Sequence, residues 1–227
     1  MVKDNSALEW LQTGDGSSTL RVPEMDETYH SQHGAVQEAL HVFVENGFVA
    51  CAECLDPVRI LEVGFGTGLN AWLTMHRAEI LQKRVVYHSI EKFPLRDEWV
   101  EKMHFPVSYN TAPYPPLDAL HSPQALEERM ITHHFRFRLI PMDVKQFEAA
   151  QPYDLVYFDA FGPRAQPSMW EVPVFERMYR ALKPDGRLVT YCAQGQFRRN
   201  LKAAGFHWER LDGPPGKREM TLAVKPL

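Results

Sequence analysis

The stretch Glu62-Val63-Gly64-Phe65-Gly66-Thr67-Gly68 constrains this chain most. It follows a β-branched run, Val58 to Val63, that reads as a strand, and it precedes Thr67 to Ile80, where Leu69, Trp72, Leu73 and Ile80 recur near helical spacing. Glycines at a strand-to-helix turn allow close backbone approach to a ligand and positive φ, and the helix start adds free N–H groups. The spacing is G-x-G-x-G with Leu69 next, so it departs from the dinucleotide fingerprint, whose third glycine sits one place later. The acid before the first glycine, Glu62, suits a cationic ligand such as S-adenosylmethionine and would repel a pyrophosphate. A turn with only a structural role would also use these glycines.

The same alternation continues downstream. Strands are expected at Val85–Ile90, Phe135–Ile140, Tyr153–Phe158, Arg187–Tyr191, Phe206–Leu211 and Glu219–Val224. Helices are expected at Asp97–Met103, opened by Pro94, at Val174–Leu182, stopped by Pro184-Asp185-Gly186, and at Gln196–Ala203, ended by Gly205. The β-α-β-α order predicts an α/β, Rossmann-like fold: a mostly parallel seven-stranded sheet with helices on both faces. The last two strands lie too close for a crossover helix and should form a C-terminal antiparallel hairpin. The 227 residues, 44% hydrophobic, suffice for one domain over 1–227. Residues 1–57 form an N-terminal extension with a turn at Gly14-Asp15-Gly16-Ser17-Ser18. Residues 105–134, with Pro106, Pro113, Pro115, Pro116 and Pro123, form an irregular insertion placed to cover a site.

Chemistry is expected at the strand ends, where the ligand crevice of such a sheet lies. Glu91 ends the second strand and can take both ribose hydroxyls. Asp143, before Val144, ends the third and can accept from an adenine amine. Each alone could be a capping acid, but three acids at three successive strand ends favour the cofactor reading. Asp159 ends the fourth strand within Asp159-Ala160-Phe161-Gly162-Pro163. It can orient an amine and take its proton, unless it only closes an Asx-turn. Phe161 can stack on a base or a cationic centre. Methyl transfer to an amine needs mainly in-line positioning, and no metal is expected. Cys51-Ala-Glu-Cys54 has only Cys192 to add, so a four-thiolate zinc site is impossible, and His133-His134 lacks ligand spacing. The Met1–Ser6 start carries no leader pattern and no apolar run spans a bilayer, so a cytoplasmic protein with no membrane partner is expected. The net charge of −4 splits into −10 over residues 1–159 and +6 over 160–227. The basic third could face nucleic acid or be a scattered solvated surface.

Taken together the motifs resemble the methyltransferase module of the MnmC/MnmD family. They are Tyr29-His30-Ser31 with Gly34, Glu38 and Val42-Phe43; Glu62 to Asn70; Ser89 to Leu95 around Glu91-Lys92; Asp159 to Pro163 with Pro167, Met169 and Trp170; Phe197-Arg198-Arg199 with Leu201 and Ala204-Gly205-Phe206; and Gly216-Lys217-Arg218-Glu219-Met220. The resemblance covers nearly the whole chain. It implies methyl transfer from S-adenosyl-L-methionine to the exocyclic amine of 5-aminomethyl-2-thiouridine at the tRNA wobble position, with Asp159 catalytic. It adds Tyr29, Phe65, Thr67, Asn70 and Lys92 to the cofactor side. Trp170 and Phe161 become stacking platforms for a base in the anticodon loop, and Arg198, Arg199, Lys217 and Arg218 become phosphate contacts. Two-domain members add a flavin-dependent oxidoreductase. The resemblance here is to the stand-alone form, with no FAD and with a separate oxidoreductase as a candidate partner. Gly213-Pro214-Pro215-Gly216 is stiffer than the family's usual glycine-rich loop, and 105–134 matches poorly. Other readings are an aminopropyl transferase, a dehydrogenase on a related sheet, or a non-catalytic RNA-binding module.

Overall fold

A computed structural model describes residues 8–105 and 116–227. Pro106, Pro113 and Pro115 of the insertion, and the Met1–Ser6 start, lie outside the described residues.

The chain opens with a small antiparallel sheet of β1 (Glu9–Gln12), β2 (Ser18–Val22) and β3 (Glu27–Thr28). The turn between β1 and β2 is held by Asp15, whose carboxylate accepts from Thr13 Oγ1 at 2.6 Å and Ser17 N at 3.1 Å. Its other oxygen accepts from Val36 N at 3.0 Å and Gln37 N at 3.3 Å. Asp15 therefore caps α1 (Ala35–Ala39), whose own N-cap, Gly34, has no side chain to do so. The helix continues through a π-helical segment, Leu40–Val49, into α2 (Ala50–Ala52) and packs by Val42, Phe43 and Phe48 against the main sheet.

The main sheet holds β4 (Val58–Val63), β5 (Val85–Glu91), β6 (Arg129–Met130), β7 (Phe135–Pro141), β8 (Tyr153–Phe158), β9 (Leu182–Thr190), β10 (His207–Asp212) and β11 (Glu219–Val224). Its order is β10-β11-β9-β8-β4-β5-β7-β6. The five strands β9, β8, β4, β5 and β7 run parallel, and β10, β11 and β6 join antiparallel. One strand more than the expected seven arises because Arg129–Met130 folds back on β7 at the edge. Helices α3 (Leu69–Leu81) and α1 cover one face. Helices α5 (Val172–Ala181) and α6 (Gly195–Ala203) cover part of the other, burying Phe158, Trp170, Phe175 and Phe197.

Three local expectations are corrected. The helix after β5, α4, spans only Asp97–Val100, and Arg96 rather than Pro94 precedes it. Pro184-Asp185-Gly186 does not stop α5 but lies inside β9. There Asp185 N donates to Lys225 O, and Lys225 N donates to Gly186 O, both at 2.9 Å, so pairing with the chain's end keeps the segment extended despite Asp185's φ of 62°. The described part of the insertion does not line the cavity at the strand ends, and only Glu128 of it reaches a cleft, on the face of β5 and β7. Its 3₁₀ turns at Leu117–Leu120 and Pro123–Leu126 pack behind the glycine loop, with His121 Nε2 2.9 Å from Thr67 O and its ring against Phe65.

Candidate active site

The C-terminal ends of β4, β5, β7 and β8 open into a cavity of 590 Å³. The glycine loop forms its floor. Gly64 has φ 94°, and a Cβ there would meet Asp159 O at 2.4 Å, so the loop and the end of β8 touch backbone to backbone. A Cβ on Gly66 would stand 2.9 Å from the Tyr29 ring. That ring belongs to the roof, which the N-terminal segment Val22–Ser31 supplies. Tyr29 packs edge-on against Phe161 at 5.0 Å, closing the space between the roof and the loop that follows β8.

Acids reach the cavity from successive strand ends. Glu91 accepts from Gly66 N at 3.1 Å and Phe93 N at 2.8 Å, so its carboxylate is fixed before any ligand arrives. Burial raises its pKa, opposed by these N–H groups. Asp143 caps a short 3₁₀ turn through Lys145 N at 2.9 Å and pairs with Lys92 Nζ at 2.8 Å. Burial opposes its ionisation, but Lys92 and the Lys145 N–H prevail and hold its pKa below the usual range. Val144 lines the same wall.

Asp159 stands at the centre, half-buried. Asn70 Nδ2 donates to its Oδ2 at 2.8 Å and to Glu62 Oε1 at 3.1 Å. Burial pushes the Asp159 carboxyl up to about 7. The Asn70 bond opposes this, nearby Glu38 adds to it, and Lys217 counteracts it. Lys217 Nζ pairs with Glu38 at 2.7 Å and lies 4.3 Å from the centre of the Tyr191 ring. Tyr191 donates its hydroxyl to Ala160 O at 2.7 Å and thereby pins the segment after Asp159. Glu38, Tyr191 and His30, whose Nε2 lies 2.9 Å from Thr67 Oγ1, line the cavity without having been singled out as site residues. Glu38 carried a visible signal, a lone acid on the otherwise apolar start of a helix.

Several expected site residues lie elsewhere. Glu62 is fully buried under the loop and does not reach the cavity. Its carboxyl accepts from Ser89 Oγ at 2.6 Å and from Asn70, and burial lifts its pKa to about 8. It positions Asn70 instead of meeting a ligand. Trp170 is a core residue, packed on Phe158, Phe175 and Phe197, with its indole N–H donated to Phe161 O at 2.8 Å. Arg198 is buried at 7% exposure. Its guanidinium donates to Thr221 Oγ1 at 3.2 Å and Glu219 Oε2 at 3.0 Å and lies 4.8 Å from the centre of the Trp208 ring, so it clamps α6 to β11 and offers nothing to a phosphate. Arg199, bonded to Gln196, and Arg218 are exposed but line no cavity. Lys217 does line it.

Among the described residues no group of three His, Cys, Asp or Glu could hold a metal ion, and no helix is long and apolar enough to cross a membrane. Cys51 is buried, Cys54 exposed, and both are free thiols.

Residues 117–226 match a family of S-adenosyl-L-methionine-dependent methyltransferases. The chain is 31% identical over 215 residues to the tRNA 5-methylaminomethyl-2-thiouridine biosynthesis bifunctional protein MnmC of Cupriavidus metallidurans, covering 88% of this chain and 32% of that protein. With the Cupriavidus necator protein of the same name the identity is 32% over 216 residues, again 88% and 32%. The crystal structure of MnmC2 from Aquifex aeolicus superposes with a TM-score of 0.76 at 28% identity, covering 99% of this chain and 74% of that one. The family signature falls on residues 117–226, and the likeness to the relatives named for tRNA 5-methylaminomethyl-2-thiouridine biosynthesis covers 88% of the chain. The chain spans about a third of the length of the bifunctional relatives it matches. Spermidine synthase from Thermotoga maritima shares the fold with a TM-score of 0.54 at 11% identity, a likeness of fold alone.

The cavity suits the methyltransferase cofactor. Its lining holds five acids (Glu27, Glu38, Glu91, Asp143, Asp159) against three lysines, two of them already paired with acids, so it favours a cation and disfavours a pyrophosphate. Glu91, fixed by two backbone N–H groups, presents a carboxylate to this cavity.

Proposed function

We propose that the chain is a single catalytic unit that moves a methyl group from S-adenosyl-L-methionine to the exocyclic amine of 5-aminomethyl-2-thiouridine at the tRNA wobble position. The observation that carries this reading is Asp159, a half-buried carboxyl with a pKa near 7, held by Asn70 at the mouth of an acid-lined cavity. The likeness to proteins named for 5-methylaminomethyl-2-thiouridine biosynthesis in tRNA supports it.

When bound, S-adenosyl-L-methionine supplies an electrophilic methyl group on a sulfonium. Gly66, Glu91, Asp143 and Val144 would hold it, with Tyr29 above. The chain's own task is to deliver an amine with a free lone pair. An aminomethyl group arrives as an ammonium ion, and the ionised Asp159 attracts it and takes one proton. The neutral nitrogen is then the nucleophile: its bond to carbon forms as the methyl–sulfur bond breaks, and the product nitrogen carries the positive charge. Asn70 keeps Oδ2 of Asp159 oriented, Glu62 keeps Asn70 oriented, and Tyr191 holds the backbone that follows. Phe161, beside Tyr29, offers a face for the base.

The test incubates the protein with methyl-labelled S-adenosyl-L-methionine and tRNA bearing the aminomethyl base, followed by digestion and identification of the nucleoside. Labelled 5-methylaminomethyl-2-thiouridine is the expected product. Label elsewhere, or none, overturns the reading. A separate oxidoreductase acting on the same base is the partner this reading implies.

A further inference from the structure

The crossover from β7 to β8 is unusual for a parallel pair. Residues 142–152 contain only one 3₁₀ turn, Val144–Gln146, where a covering helix is the common solution. The face of β5 and β7 beneath it is therefore open. It forms a cleft of 540 Å³ whose lining includes Arg59, Arg136 and Arg138. The register explains their clustering. Arg59 on β4 and Arg136 on β7 both align with Val86 on β5, and Arg138 aligns with His88 one step along. Laterally aligned residues share a face, with strands about 4.8 Å apart and alternate residues about 6.6 Å apart.

Acids do not neutralise this group. Glu148 in the cleft is taken by Arg177. Glu128 binds His88 Nε2 at 2.8 Å and reaches Arg136 only at 3.5 Å. Arg138 donates to a backbone carbonyl, Leu126 O at 3.2 Å. Arg59 Nε is buried with no hydrogen-bond partner among the described residues, and its guanidinium carbon lies 5.8 Å from the centre of the Tyr153 ring. Two guanidinium groups with no carboxylate partner among the described residues, and a third only loosely paired, sit on an exposed sheet face of an otherwise acidic protein. Met142 lines both this cleft and the active-site cavity, so the two lie side by side at the edge of the sheet.

We infer that this open face of β5 and β7 is a docking surface for the phosphodiester backbone of the substrate RNA, contacted by Arg59, Arg136 and Arg138 away from the reacting nucleotide. The inference rests on the proposed RNA substrate. It supplies what that substrate needs now that Arg198 is engaged internally: cations with free N–H groups on the surface. Arginine forks fit phosphate oxygens bidentately, and contacts of this kind position an RNA without reading its sequence.

The experiment measures binding of unmodified tRNA to the wild-type protein and to Arg136→Ser/Arg138→Ser across a salt series, alongside methyl transfer to the free 5-aminomethyl-2-thiouridine nucleoside. The expected result is roughly tenfold weaker tRNA binding and a log K against log salt slope shallower by about 1.4 to 1.8, two phosphate contacts' worth. Arg136→Lys/Arg138→Lys should regain most of the affinity, and nucleoside methylation should be unchanged in both. Unchanged tRNA affinity and slope overturn the inference, as does a cleft that responds only to inorganic phosphate or to an acidic protein. Wild-type protein that binds tRNA through these arginines yet methylates neither the free nucleoside nor tRNA bearing the aminomethyl base refutes the proposed reaction and leaves the docking surface standing. A variant that has lost folding is recognised by lost S-adenosyl-L-methionine binding, and single exchanges at Arg138 then decide the matter.

Discussion

At Asp159, function and stability pull in opposite directions. Burial lifts the pKa of its carboxyl to about 7, and that of Glu62 to about 8. In the folded protein both hold protons that the unfolded chain has already released above the ordinary carboxylate range. The stability these two carboxyls contribute is therefore fully present at low pH and is lost as pH rises through about 7 to 8. Activity runs the other way, because only the ionised Asp159 can take a proton from the amine. Methyl transfer under limiting substrate should thus rise along a limb near pH 7. Asp159→Asn should abolish that limb and cut turnover about a hundred- to ten-thousandfold, the scale of lost general-base catalysis, with S-adenosyl-L-methionine affinity within about tenfold by calorimetry. The same variant should melt at a higher temperature than wild type at pH 8, and the difference should vanish near pH 4. Arg198 belongs to another class. Arg198→Ala strands Glu219 and opens the contact between α6 and β11, so it should cost about 2 to 3 kcal/mol in denaturant unfolding. Its effect on the salt dependence of tRNA binding should be nil.

Among the elements, the N-terminal helix and the C-terminal hairpin meet over the cavity mouth through the Glu38–Lys217 ion pair. Both charges act on Asp159 with opposite sign. Lys217→Met should move the activity limb to higher pH and Glu38→Gln to lower pH, read from pH profiles with the free nucleoside as substrate. No single element could have announced this pairing. Strand ends were legible because β-branched runs, glycines and terminal acids are local patterns. They located Glu91, Asp143 and Asp159 at the cavity wall. Depth was not legible. Phe197, Arg198 and Leu201 share one helical face, which is a sign of burial, yet an arginine beside a second arginine looked like a cationic surface. The burial of Glu62 was hidden for a related reason. Alternation shows which face of a strand a residue takes, while whether that face meets a cavity or Ser89 and Asn70 depends on neighbouring strands. Tyr191 escaped notice because its partner, Ala160 O, is 31 residues away.

Over the whole molecule, charge is sorted by location. The cavity gathers acids, and the open face of β5 and β7 gathers arginines. The net charge of −4 conceals both. Nor does the split between the acidic N-terminal and basic C-terminal portions mark the binding surface. Arg59, Arg136 and Arg138 all lie in the acidic portion, while Arg198 of the basic portion is internal. Sorting of this kind arises from lateral strand register, which brings together residues some 80 positions apart, and a linear charge profile averages it away. The fold class was readable because strand and helix alternate along the chain. The uncovered sheet face was not, because it follows from a missing helix.

Gly64 narrows what the protein can become. With Asp159 O only 2.4 Å from where a side chain would begin, even a single methyl group must push the peptide of Asp159 aside. Saturation mutagenesis at this codon, screened for methyl transfer, should return glycine alone, whereas position 65 should accept other large apolar residues. The first turn of the cofactor loop is in this sense a gauge block against which the reacting carboxylate is set.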